Sequence, residues 1–100
     1  MPDITPAELR QRQQAAENLT IIDVREPWET EESRIEGSQN LPLGSLPQHL
    51  EDLENLKSQE VIVHCKSGAR SAAAQAFMQQ HGFTNVRNLV GGMLAYQAEK

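Results

Sequence analysis

The sequence of 100 residues is poor in several residue types, and each shortage excludes a class of protein. It contains one cysteine, Cys65, so it cannot form an internal disulfide or a zinc site built from several cysteines. It has no apolar run long enough to span a bilayer, and its first residues lack the features of a signal peptide. We therefore expect a single cytoplasmic domain over residues 1–100, with no metal, no cofactor and no membrane partner.

Positive charge and aromatic residues are also scarce. Lys and Arg number 9 against 14 for Asp and Glu, which gives a formal net charge of −5, and aromatic residues make up 4% of the chain. An acidic chain of this kind is a poor partner for nucleic acid, because the phosphate backbone attracts basic surfaces. The hydrophobic fraction of 38% still suffices for one core. The composition therefore predicts a small globular domain that does not bind nucleic acid.

Local sequence signals alternate between strands and helices along the chain. Apolar β-branched runs predict strands, alanine-rich or periodic apolar segments predict helices, and Gly and Pro mark the boundaries. We expect a short extended start over residues 3–5, strands over 19–24, 39–43, 61–64 and 86–90, and helices over 6–17, 28–33, 45–56, 71–81 and 93–98. This alternation predicts an α/β fold, with a mainly parallel sheet covered by helices on both faces.

Two of these helices carry specific signals. In the first, Thr5 is a suitable N-cap, Pro6 suits the first helical position, and Glu8 completes a capping box. In the third, apolar residues recur at near-helical spacing, which predicts an amphipathic helix over 45–56. These residues are Leu46, Leu50, Leu53 and Leu56.

Cys65 stands at the end of the most apolar strand, where a short loop leads into the alanine-rich helix. Such a loop can direct several backbone N–H groups at one point, and the helix N-terminus adds positive potential there. Nearby cations also lower the pKa of a thiol. The sequence therefore predicts a reactive thiolate at Cys65, held by an anion-binding loop that consists of Lys66, Ser67, Gly68, Ala69 and Arg70.

Two other segments follow strand ends and are expected at the same edge of the sheet, where α/β proteins bind ligands. Arg25 and Asp23 could polarise the site from the first of them, although a pairing between the two that holds the strand end is the favoured interpretation of Asp23. Trp28, in the first turn of the next helix, could serve as a substrate platform, but packing is the favoured interpretation. The pair Gly91 and Gly92 predicts a close backbone approach to Cys65 or an unusual φ.

The residues around Cys65 distinguish three kinds of chemistry. Acyl transfer requires a histidine at the sulfur, but His64 should point to the opposite face of the strand, and His49 and His81 lie on predicted helices. Cysteine phosphatases place five residues between Cys and Arg, whereas four separate Cys65 from Arg70, which makes a tighter cradle. Sulfur transfer needs only a thiolate and an anion hole for the persulfide that forms.

Four ordered segments resemble the motifs of the single-domain rhodanese family. They are residues 23–29 (DVREPWE), 34–42 (RIEGSQNLP), 65–71 (CKSGARS) and 88–96 (NLVGGMLAY). The second departs from the usual His-Ile-Pro-Gly-Ala-x-Asn-Ile-Pro at Arg34, Glu36 and Ser38, which predicts changed donor or partner contacts. The fourth has Tyr96 where Trp is commoner.

The resemblance implies a three-layer sandwich with a central five-stranded parallel sheet. It also implies a sulfurtransferase that moves sulfane sulfur through a persulfide on Cys65. The donor would be a small anion, thiosulfate or a low-molecular-weight or protein persulfide, and the acceptor a thiol or a protein. The alternative is a regulatory or binding module, or a sulfur carrier for a partner enzyme. The oligomeric state stays open.

Overall fold

A computed structural model describes residues 3–99. Strands and helices alternate along the chain as the sequence predicts, although most elements are shorter than expected. The strands are β1 (Ile21–Asp23), β2 (Ser38–Asn40), β3 (Glu60–His64) and β4 (Asn85–Asn88). The helices are α1 (Pro6–Gln14), α2 (Pro27–Glu32), α3 (Leu46–His49), α4 (Ala69–Gln80) and α5 (Gly92–Ala98).

The sheet is parallel throughout, with the strand order β2-β1-β3-β4. It has four strands in the described part of the chain, so the expectation of five is not confirmed. The extended start contributes one isolated parallel bridge, between Ile4 and Leu89 beside β4. This extended segment does not form a longer strand, because Thr5 is the N-cap of α1 and Pro6 begins that helix.

The sheet separates two apolar clusters, which makes the fold a three-layer sandwich. Successive β3 residues point to opposite faces, so Val61 and Val63 contact one cluster and Ile62 the other. The first cluster also contains Leu46 of α3 and residues of α4, and the second contains residues of α1 and α5. The helix residues are Ala74 and Met78 on the first side, and Leu9, Met93 and Tyr96 on the second.

The capping box predicted at α1 is half present. The Thr5 hydroxyl accepts a hydrogen bond from the Glu8 N–H at 3.1 Å, as expected of an N-cap. The Glu8 carboxylate, however, pairs with Arg87 of β4 at 3.0 Å. A charged partner competes successfully for this carboxylate, because a charge-assisted pair is stronger than the return bond to the cap.

The amphipathic helix predicted over residues 45–56 is wrong in type. Only Leu46–His49 is α-helical, between 3₁₀ turns over Leu43–Ser45 and Glu51–Leu56. The last three leucines, Leu50, Leu53 and Leu56, recur every three residues, which is the period of a 3₁₀ helix. None of the helices within residues 3–99 is both long and apolar enough to cross a membrane.

Candidate active site

The thiol of Cys65 lies immediately after β3, at the carboxyl edge of the sheet. The side chain is 1% exposed and belongs to the apolar cluster that faces α4. Helix α4 begins at Ala69, and Gly68 caps it with a φ of 115°, a conformation that strains any residue with a side chain. This turn brings the Gly68 N–H to 3.1 Å from the sulfur. The loop therefore folds back so that one of its backbone N–H groups contacts the sulfur.

The environment of the sulfur favours its ionised form. Burial raises the pKa of the Cys65 thiol, but hydrogen bonds from the Ser71 hydroxyl and from the backbone N–H groups of Ser71, Gly68 and Ser67 outweigh it and lower the pKa below its usual value. The Ser71 Oγ is 3.3 Å from the sulfur. A thiolate at Cys65 is thus held by donors that all come from the loop and the first turn of α4.

Asn88, at the end of β4, controls the hydroxyl of Ser71. Its amide nitrogen donates to the Gly68 carbonyl at 3.2 Å, so its Oδ1 must face the Ser71 hydroxyl, 2.6 Å away. The Ser71 Oγ also lies 3.2 Å from the Gly68 carbonyl oxygen. Since a hydroxyl has one proton, Ser71 donates mainly to one of three acceptors: the Asn88 oxygen, the Gly68 oxygen or the sulfur. The negative charge of a thiolate attracts this proton, so the arrangement supplies a donor when Cys65 ionises.

Helix α5 is docked directly on the Cys65 backbone. The N–H groups of Met93 and Leu94 donate to the carbonyls of Cys65 and Lys66 at 2.9 and 3.1 Å. Gly92 allows this approach: its φ is 60°, and a Cβ there would lie 2.6 Å from the Cys65 oxygen. Gly92 therefore shows both features predicted for the glycine pair, a close backbone approach to Cys65 and a positive φ.

Asp23 and Arg25 form a buried pair at the end of β1. The Arg25 Nη2 is 2.9 Å from an Asp23 oxygen, and Thr30 donates to the same carboxylate at 2.8 Å. Burial raises the pKa of Asp23, but the hydrogen bonds from Arg25 more than offset this and lower it. The geometry agrees with the structural interpretation of Asp23, and Arg25 is occupied by this carboxylate and by the Ser33 carbonyl at 2.6 Å.

The described part of the chain places no histidine at the sulfur. His64 is fully buried, its Nε2 lies 3.9 Å from Asp23, and its Nδ1 lies 3.4 Å from the Cys65 carbonyl oxygen. Burial lowers its pKa despite the nearby Asp23 carboxylate. His49 bonds Asp52, and His81 bonds the Phe77 carbonyl. A cysteine–histidine pair is therefore absent from residues 3–99.

Arg70, which closes the loop, is paired with a residue that the sequence did not single out. Its guanidinium makes two hydrogen bonds of 2.8 Å to the carboxylate of Glu29 on α2. The pairing lowers the pKa of Glu29 and raises that of Arg70. Lys66 has no acidic partner within residues 3–99. The two cations predicted to flank the thiol are thus unequal, and only Lys66 is free to meet an anion.

A pocket of about 260 Å³ adjoins the loop. Trp28 lines it and is 61% exposed, so its interpretation as a packing residue is wrong. Leu94 lines the same pocket and is 53% exposed. The remaining lining residues are Arg25, Glu29, Glu32, Ser33, Lys66, Arg70, Met93 and Gln97. The sulfur lies beneath the loop and is not part of this lining.

Three residues of the site were not predicted from the sequence. Ser71 lies in the third family motif and Asn88 in the fourth, but nothing in the sequence showed that their side chains contact each other. Glu29 lies 41 positions before Arg70, and only the fold brings them together. A signal was available for Glu29, since it lies one turn into a helix that follows a strand end at the same edge of the sheet.

The structure is a parallel α/β sandwich, and its one thiol lies under backbone N–H groups at a strand end. It is therefore an α/β domain with a cysteine-based site. The family model of the rhodanese-like domain matches residues 5–99. The chain belongs to the rhodanese-like domain family, which confirms the resemblance carried by the four motifs.

Individual relatives agree with this assignment. A sulfurtransferase from Allochromatium vinosum is 33% identical over 94% of this chain and 86% of its own. The crystal structure of a rhodanese-like domain protein from Staphylococcus aureus is 28% identical, with a TM-score of 0.83 over 96% of this chain and 91% of its own. The human single-domain sulfurtransferase TSTD1, 22% identical, shares the fold with a TM-score of 0.86 over 100% of this chain and 98% of its own. The chain is thus a member of a sulfurtransferase family.

Proposed function

We propose that this protein transfers sulfane sulfur through a persulfide on Cys65. The observation that carries the proposal is the set of donors around the sulfur, from the Gly68 N–H at 3.1 Å to the Ser71 hydroxyl at 3.3 Å. These groups stabilise a thiolate before reaction and the negative charge of a persulfide after it. No proton has to be removed by a base once the thiolate has formed.

The reaction has two displacements. The Cys65 thiolate attacks the outer sulfur of the donor, the donor's S–S bond breaks, and the donor leaves with the electron pair as sulfite or a thiolate. A new S–S bond then holds the persulfide on Cys65. An acceptor thiolate attacks the terminal sulfur, and Cys65 leaves as the thiolate. The chain has no second cysteine, so the acceptor must be another molecule.

Two features of the loop disfavour phosphate-ester hydrolysis. The loop from Cys65 to Arg70 has one residue fewer than the phosphatase pattern. The Arg70 Nη1 and Nη2 atoms, which could hold a phosphoryl group at two points, are already bonded to the Glu29 carboxylate. Moreover, with Cys65 only 1% exposed, a single projecting sulfur atom reaches the thiolate more readily than a bulky tetrahedral group.

Intact-mass spectrometry tests the proposal. Incubation with a sulfane donor should add one sulfur atom to the wild type and none to Cys65→Ala, and a thiol acceptor should then remove it. Absence of any adduct with thiosulfate, thiosulfonates and organic persulfides alike would refute sulfur transfer. An adduct that forms but passes to no small thiol would favour the alternative, a carrier that delivers to one partner enzyme.

A further inference from the structure

The cations beside the loop are largely neutralised by neighbouring acids. Arg25 is buried against Asp23, and Arg70 is bound at two points by Glu29, whose side chain is only 11% exposed. A second carboxylate, Glu32, also lines the pocket. Lys66 is therefore the one pocket cation that lacks an acidic partner within residues 3–99, and a dianion would meet little net positive charge.

The same pocket is lined by apolar side chains from two helices. Trp28 on α2 is 61% exposed and Leu94 on α5 is 53% exposed, and both line the pocket together with the mostly buried Met93. Such exposed apolar side chains are stabilised by a ligand that removes them from water. A pocket with one free cation and apolar walls is complementary to a singly charged anion that carries an organic group.

We propose that the site selects monoanionic organic sulfane donors, with the organic group between Trp28 and Leu94, over the inorganic dianion thiosulfate. This rests on the proposed function. The thiolate attacks the terminal sulfur of an organic persulfide, R–S–S⁻; the S–S bond breaks, R–S⁻ leaves with the electron pair, and Cys65 keeps the sulfur. Glu29 acts as a specificity-determining residue, because its pairing withholds Arg70 from anionic donors.

Stable thiosulfonates make the test possible, since they carry one charge and release a sulfinate with the electron pair when the thiolate takes their outer sulfur. The rate of persulfide formation is measured by mass spectrometry for thiosulfate, methanethiosulfonate and benzenethiosulfonate. Each rate is divided by that of the same donor with a small free thiol, which removes intrinsic reactivity. We expect the normalised rate to rise severalfold from thiosulfate to methanethiosulfonate, and again to benzenethiosulfonate.

Variants separate the charge from the apolar wall. Glu29→Gln should raise the thiosulfate rate severalfold and change the methanethiosulfonate rate less, whereas Glu31→Gln, on the same helix but outside the pocket, should change neither. Trp28→Ala and Leu94→Ala should lower the ratio of benzenethiosulfonate to methanethiosulfonate. Val90→Ala, at a residue 50% exposed outside the pocket, should leave that ratio unchanged.

The outcomes distinguish a failure of the proposed donor selection from a failure of the proposed sulfur transfer. If no donor adds sulfur to Cys65, the proposed function itself fails. If donors add sulfur but thiosulfate matches the thiosulfonates after normalisation, or Glu29→Gln changes nothing, the function stands and the selection is refuted. An aryl preference that survives Trp28→Ala and Leu94→Ala together would refute the placement of the organic group.

Discussion

At the scale of single residues, the reactivity of Cys65 depends on a hydroxyl shared among three acceptors. The Ser71 Oγ lies 2.6 Å from the Asn88 oxygen, 3.2 Å from the Gly68 carbonyl oxygen and 3.3 Å from the sulfur. The amide must keep its nitrogen on the Gly68 carbonyl, so it offers Ser71 an acceptor only. When Cys65 ionises, the Ser71 hydroxyl can donate to the thiolate without a large rearrangement of the site. Anion-binding sites use preorganised donors of this kind.

Ser71→Ala should therefore raise the pKa of the Cys65 thiol towards its ordinary value. Removing the hydroxyl leaves the backbone N–H groups in place but deletes the strongest of the interactions that favour the thiolate. The rate of alkylation by iodoacetamide, followed against pH, should shift to higher pH and fall severalfold at neutral pH. A fold that remains intact by far-UV circular dichroism makes the comparison valid.

Two matched variants control this prediction. Ser71→Thr keeps the hydroxyl and should restore the wild-type profile. Ser67→Ala should leave the profile unchanged, because Ser67 contributes its backbone N–H rather than its side chain. A profile that Ser71→Ala does not move would show that the loop N–H groups alone set the pKa.

At the scale of secondary-structure elements, the site depends on how α5 docks against the end of β3. Gly92→Ala should be strongly destabilising, because a left-handed φ alone costs about 1–2 kcal/mol in a residue with a Cβ, and the Cβ would also lie 2.6 Å from the Cys65 oxygen and from Lys66 backbone atoms. Urea unfolding should show a loss of more than about 2 kcal/mol. Gly44→Ala is the matched control: a Cβ at this position would have no neighbouring atom within 4 Å, so the substitution should change stability little.

Elements were predictable from the sequence wherever a local signal determined them. Thr5 and Pro6 marked the start of α1, and the apolar run before Cys65 gave β3, because caps and alternation act within a few residues. The partner of Glu8 was not predictable, because Arg87 lies 79 positions away. The 3₁₀ helix over Glu51–Leu56 had a signal in the three-residue spacing of its leucines, but the same spacing also fits one face of an α-helix.

A charged network joins three elements on the sheet face below α1. Glu60 of β3 accepts from Arg12 of α1 at 2.6 Å and from Arg87 of β4 at 2.9 Å, and the Arg87 side chain is 7% exposed. Hydrogen bonds with Arg12 lower the pKa of Glu60. Glu60→Gln should therefore cost about 1–3 kcal/mol at neutral pH, since it leaves two partly buried cations with a weaker partner.

The sign of the pH dependence follows from the depressed pKa. The ionised Glu60 stabilises the fold above its unfolded pKa of about 4.3, and this contribution is lost as the pH falls through the lower folded pKa. The stability difference between wild type and Glu60→Gln, from urea unfolding, should be constant at neutral pH and shrink in acid. Glu54→Gln, whose carboxylate is 68% exposed, should show almost no difference at any pH.

At the scale of the whole molecule, the net charge of −5 opposes the local attraction of Lys66 for an anion. The balance between the two depends on salt. At 0.01 M ionic strength the screening length is about 30 Å, well beyond the radius of gyration of 12.4 Å, so an approaching anion senses all the charges of the molecule. At 1 M it is about 3 Å, and only groups at the site act.

Alkylation of Cys65 by iodoacetate, relative to neutral iodoacetamide, measures this balance directly. Because the acidic surface repels at long range while Lys66 and the loop N–H groups attract at short range, the ratio should rise severalfold from low to high salt. Glu51→Gln combined with Asp52→Asn removes two exposed negative charges outside the pocket and should flatten the rise. A ratio that falls with salt would mean that the loop attracts anions at long range, and the neutralisation of Arg70 by Glu29 would then be incomplete.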